Sequence, residues 1–91
     1  MQEIRSLLDE AIEARTKKEA ESSLLRLRGI SNSLAGRIDS YAHEKLDSAI
    51  ICAKEASGRS KDKERWTHNS YQDWYLFKNN VNAFDAGGEP I

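Results

Sequence analysis

Residues 24–38 read LLRLRGISNSLAGRI, and the reading of their first glycine decides the fold. Gly29 follows Arg26 and Arg28, cations suited to the carbonyl end of a helix. Ser31, Asn32 and Ser33 come next, residue types that cap a helix by accepting from its free amides. The stretch therefore predicts one helix ending at Gly29 and another beginning near Leu34.

Downstream, Leu34, Ile38, Tyr41, Ala42, Leu46, Ala49, Cys52, Ala53 and Ala56 share one face at helical spacing. A helix over Leu34–Ala56 follows, with Asp39, His43 and Asp47 on its other, solvated side. Ile51 projects off the apolar face. Upstream, Ile4, Leu7, Leu8, Ala11 and Ile12 fall within about 140° of arc at 100° per residue. Then the phase breaks, because Leu24 and Leu27 point roughly the opposite way. Thr16-Lys17-Lys18-Glu19 fits a capping box, so residues 2–28 read as one helix with two apolar faces or as two helices. The single helix is preferred, since nothing between Glu13 and Glu19 forces a break.

Ser57 to Arg65, SGRSKDKER, reads as a polar hinge. Six of the seven aromatics then fall between Trp66 and Phe84, which marks this segment as the place where bulk enters the core. Trp74, Phe77, Val81 and Phe84 recur at helical spacing, while Trp66, Tyr75 and Leu76 fit that stripe poorly or not at all. The expected fold is all-α, an antiparallel helical hairpin with a third, aromatic-rich helix packed across it. Residues 1–86 form one domain, and 87–91 a flexible tail after the helix stop at Asp85–Gly88. Two long helices and one short one leave the Leu24 and Leu27 face and Ile51 uncovered, which predicts a dimeric bundle.

Lys and Arg total 14 against 15 Asp and Glu, a formal charge of −1 that excludes a strongly basic or acidic binding arm. The single cysteine, Cys52, rules out an internal disulfide, and with only two histidines there is no zinc-ligand spacing. No apolar run approaches the ~20 residues that span a bilayer. The opening MQEIRSLLDE is charged throughout and does not read as a secretory signal. A cytoplasmic chain with no metal, no cofactor and no membrane partner is expected.

The candidates for chemistry are few. Asp39, His43 and Asp47 at i, i+4 and i+8 could support an imidazole base, but a convex solvated face offers no pocket. Cys52 reads as a small buried hydrophobe, and His68 as a capping or solvated residue. No phosphate loop, dinucleotide-binding glycine pattern or nucleophile elbow is present.

Residues 24–38 also resemble a helix-turn-helix core through Gly29, Ile30, Ser31 and Ile38. The resemblance implies a groove-reading helix presenting Asn32, Ser33 and Arg37 to DNA. It departs at Leu25, Arg28 and Gly36, and the chain lacks the net basic charge that phosphate binding favours. The function expected is therefore a non-enzymatic protein-binding module, an adaptor, inhibitor or regulator. Its interface residues would be Ile51, Trp66, Tyr75 and Leu76, since Trp and Tyr are favoured anchors. The alternative is a DNA-binding transcriptional regulator using residues 24–38. Small helical proteins of this make-up are frequent among phage and mobile-element regulators, an analogy only.

Overall fold

Where the N-terminal apolar stripe loses phase, the chain breaks. The computed structural model describes residues 2–84, and its elements are α1 (Gln2–Glu13), α2 (Lys17–Leu34), α3 (Ser40–Ala56) and α4 (Lys63–Phe84). No strand occurs among the described residues. The tail expected at residues 87–91 and the side chains of Val81 and Phe84 lie outside the described residues.

The single helix expected over residues 2–28 is thus two, α1 and α2. Thr16 is extended at φ −135° and ψ 159°, and its hydroxyl accepts from the Glu19 amide at 3.0 Å. The Glu19 carboxylate reaches back to the Arg15 amide at 3.2 Å, one residue beyond the usual partner of a capping box. A few helical hydrogen bonds are lost at the break, each worth about 1 kcal/mol net. In return Leu24 and Leu27, 8% and 0% exposed, join Leu7, Leu8 and Ile12 in one core. Burying two leucines contributes roughly 3–6 kcal/mol, so the break wins. The same break covers the Leu24 and Leu27 face, one of the two features that had suggested a dimer, while Ile51 stays 51% exposed.

Gly29 ends nothing. It lies inside α2, which runs on to Leu34. The cost of a mid-helix glycine is about 1 kcal/mol, less than the gain from burying Leu34 and Ser31 on the stripe begun by Leu24 and Leu27. The turn comes at Gly36, whose φ of +80° suits a residue without Cβ. Asp39 then caps α3, accepting from the Tyr41 amide at 3.2 Å. The expected start at Leu34, with capping from Ser31, Asn32 or Ser33, is thereby corrected. Because no atom lies within 4 Å of a Cβ built on Gly29, Gly29→Ala should raise stability by about 0.5–1 kcal/mol. Urea denaturation checks this, and a loss of stability would place Gly29 in a turn after all.

The link between α3 and α4, expected as a polar hinge, is tied to its neighbours by two lysines. The Lys63 ammonium donates to the carbonyls of Ile12 and Ala56 at 2.7 Å each and of Gly58 at 3.2 Å. Lys17 donates to the carbonyls of Lys54 at 2.9 Å and Ser57 at 3.2 Å. These ammoniums satisfy carbonyls that the ends of α1 and α3 leave open. Lys17 begins α2 beside the end of α3, and Ser31 near the end of α2 meets His43 early in α3. The two helices therefore run in opposite directions.

Against the other side of α3 lies α4. Ala42, Ala49, Ala53 and Ala56 are all fully buried and admit close approach. Ser70 reaches the Ala49 carbonyl at 2.8 Å, and Trp74 and Phe77 fill the space beyond. Tyr71 ties α4 to α1 by donating to Asp9, and Arg5 stacks over the Tyr71 and Trp74 rings at 5.0 and 5.2 Å. Burial, and then the Asp9 acceptor, push the Tyr71 phenol up to about 12.

Candidate functional site

Four residues beyond its cap, α3 presents His43, and one turn later Asp47. Both were expected on a solvated side. The structure turns them towards α2, half-buried, because α1, α2 and α4 all pack around α3 and leave it little free surface. Asp39 stays apart from them as the helix cap.

The buried Ser31 of α2 donates to Asp47 Oδ1 at 2.5 Å. Its hydroxyl and its carbonyl each lie 3.1 Å from His43 Nε2. His43 Nδ1 is 3.8 Å from Asp47 Oδ2. Serine, histidine and aspartate thus meet, but not as a nucleophile relay. The Ser31 proton is committed to Asp47, and a carbonyl oxygen can only accept, so Nε2 is the donor and cannot take a proton from Ser31. Ser31 is also only 3% exposed. The cluster is a polar clasp between α2 and α3.

Just outside the clasp, the two helices form an open seam. Its upper cleft, about 200 Å³, is lined by Arg28, Ser31, Asn32, Asp47, Ile50 and Ile51. A second hollow, lined by Glu21, Leu24, Leu25, Arg28 and Lys54, continues it along α2. Leu24 and Ile50 are buried and make the floor. Leu25, 70% exposed, and Ile51, 51% exposed, stand on the two walls. Charges flank them, Glu21 and Lys54 at the second hollow, Asp47 at the first, and Arg28 at both. Among the described residues none of Glu21, Arg28 and Lys54 has an ionic partner within 4 Å.

Of the residues picked from sequence, Ile51 and Asn32 lie in this seam. Ser33 is exposed at the end of α2 and Arg37 in the turn that follows. Residues 24–34 being one helix, the groove-reading arrangement implied by the helix-turn-helix resemblance is not formed there. Trp66 is half-buried and packs against the core. Tyr75 is 57% exposed on α4, with half-buried Leu76 beside it, and neither lines the seam. Sequence reasoning missed Leu25, Arg28, Glu21 and Lys54. The available signal was Leu25 itself, a leucine about 100° off the stripe of Leu24 and Leu27.

Cys52 is buried on the α4 side of α3. Burial, and then the Asp73 carboxylate, raise its thiol pKa, the opposite of what an activated nucleophile needs. His68 is exposed within α4. Among the described residues no group of three or more His, Cys, Asp or Glu side chains could hold a metal, and no helix is long and apolar enough to cross a membrane. Compared with family models, with curated proteins and with solved structures, the chain gives no match.

Proposed function

We propose that this chain is a non-enzymatic protein-binding module, an adaptor, inhibitor or regulator, that docks its partner on the α2–α3 seam. One observation carries the reading. Leu25 and Ile51 stand exposed on the two opposite walls of the seam, walls held by the Ser31 clasp and by Lys17. An isolated exposed leucine is ordinary. Two large aliphatics over a buried floor, rimmed by charge, form a small docking patch with an apolar centre and a polar rim. A backbone already held in place loses little ordering entropy on binding.

Leu25→Lys with Ile51→Lys should leave thermal stability within about 0.5 kcal/mol, as usual for exposed sites. Partner binding should weaken at least ~10-fold, or about 1.4 kcal/mol. The check compares proteins retained from a host extract by the wild type and by this variant, with Tyr75→Ala as the control on α4. Equal retention by wild type and double variant would refute the seam. Loss with Tyr75→Ala alone would move the interface to α4.

A further inference from the structure

We propose that the seam is occupied by a second copy of this chain, related by a two-fold axis lying in the interface. The proposal rests on the reading of the seam as a docking surface. It adds the identity of the occupant.

The argument is the order of residues along the seam. Because α2 and α3 run in opposite directions, their residues fall into levels. Lys17 beside Ser57 and Ser31 beside His43 set the register, which puts Glu21 near the level of Lys54 and Arg28, whose side chain lines both hollows, near that of Asp47. Leu25 and Ile51 lie between these two charged levels. Each wall therefore carries one acid and one base around an apolar centre: Glu21, Leu25 and Arg28 on α2, and Lys54, Ile51 and Asp47 on α3.

Such a pattern complements itself. If the two-fold axis runs along the seam, α2 of each copy lies over α3 of the other at the same level. Glu21 then faces Lys54, Leu25 faces Ile51, and Arg28 faces Asp47. If the axis runs across the seam, Glu21 faces Arg28, Lys54 faces Asp47, and each aliphatic meets its own counterpart. In both arrangements every acid meets a base, which is what an isologous interface requires of one patch used twice. The four charges sum to zero, so the seam selects neither an acidic nor a basic partner. It selects one with mixed signs at this spacing, and this chain supplies it.

The size of the patch sets the strength. At 1.5 Å per residue α2 is about 27 Å long. Two helices ~10 Å apart then offer roughly 500 Å² per copy, or ~1,000 Å² in all, the low end for specific association. The dimer is therefore weak and concentration-dependent.

The test is sedimentation equilibrium of the whole chain from low to high micromolar concentration, with circular dichroism melts of every variant. The wild type should pass from monomer to dimer, and Leu25→Lys with Ile51→Lys should stay monomeric while folded. Glu21→Lys should weaken association about fivefold at low salt. Adding Lys54→Glu should restore it if the axis runs along the seam, and adding Arg28→Glu should do so if it runs across. Asp47 is left intact because it holds Ser31. A wild type that stays monomeric throughout overturns the proposal, as does undiminished dimerisation of the double lysine variant. Failure of both compensating pairs overturns the charge register that carries it. If the wild type stays monomeric but the lysine variant loses a host protein, the seam docks another protein and only the second copy is refuted. If neither effect appears, the docking reading itself has failed.

Discussion

Gly58→Ala is expected to destabilise the protein by about 2–5 kcal/mol, through backbone strain and one methyl group meeting backbone. Gly58 sits at φ +66°, where any other L-residue pays ~1–2 kcal/mol. A Cβ there would also lie 3.0 Å from the Lys17 nitrogen and 3.1 Å from two Thr16 backbone atoms. Backbone at a helix start cannot swing aside like the end of a flexible chain, so overpacking adds roughly 1–3 kcal/mol. The approach is close because the Gly58 amide donates to the Ala14 carbonyl at 3.0 Å, pinning the α1–α2 junction against the α3–α4 link. Lys17 and Lys63 fasten the same junction, and any shift strains their bonds. Gly36→Ala is the control. Its φ is +80°, yet no atom lies within 4 Å of its Cβ position, so it should cost only the conformational ~1–2 kcal/mol. Urea denaturation of both variants separates the terms, and equal losses would mean that the close approach at Gly58 carries no energy.

These two glycines also show where the sequence could be read. The stripe of Ile4, Leu7, Leu8, Ala11 and Ile12, and that of Leu46, Ala49, Ala53 and Ala56, were plain because 3.6-residue spacing survives in any packing. Gly29 misled. A glycine followed by Ser, Asn and Ser has the local signature of a stop and a cap, but the burial of Leu34 is a tertiary term that local preference does not contain. At Thr16 the capping box was legible and was outweighed by the absence of a proline or glycine. What decided the matter was the need to bring Leu24 and Leu27 round to the side of Leu8.

The sites fared worse for a related reason. A helical wheel places His43 and Asp47 opposite the main stripe of α3, but it cannot know that α2 will cover that side. Leu25 was visible only as a leucine out of phase, and lone exposed leucines are common. Its meaning arises when α3 supplies the opposite wall, with Ile51 on it. A seam belongs to two helices and has no signature in either alone. The aromatics of α4 were the converse, since bulk at helical spacing must fill something, and here it fills the space above the alanines of α3.

That division of labour makes Phe77→Ala the other severe change. α3 meets α4 where Ser48 donates to Asp73 at 2.5 Å and Ser70 to the Ala49 carbonyl at 2.8 Å, and its buried side chains Ala42, Ala49 and Ala53 are too small to close a core by themselves. Phe77, 0% exposed, is the largest fully buried side chain among the described residues. Truncating a buried phenylalanine costs roughly 3–5 kcal/mol through lost transfer energy and the cavity left behind. A domain this size has about 5–15 kcal/mol in all and lies towards the lower end. The loss does not stay local, because a helix in a protein owes most of its stability to tertiary packing of its apolar face. Melting α4 would expose the alanine face of α3 and free Tyr71 from Asp9 on α1. Tyr75→Ala, two residues away and 57% exposed, should instead stay within about 0.5 kcal/mol of the wild type. Circular dichroism during urea titration should find Phe77→Ala largely unfolded before much denaturant is added, with Tyr75→Ala overlaying the wild type. If the two variants melt alike, α4 does not pack on α3 through the Trp74 and Phe77 face, and the core described above is wrong on that side.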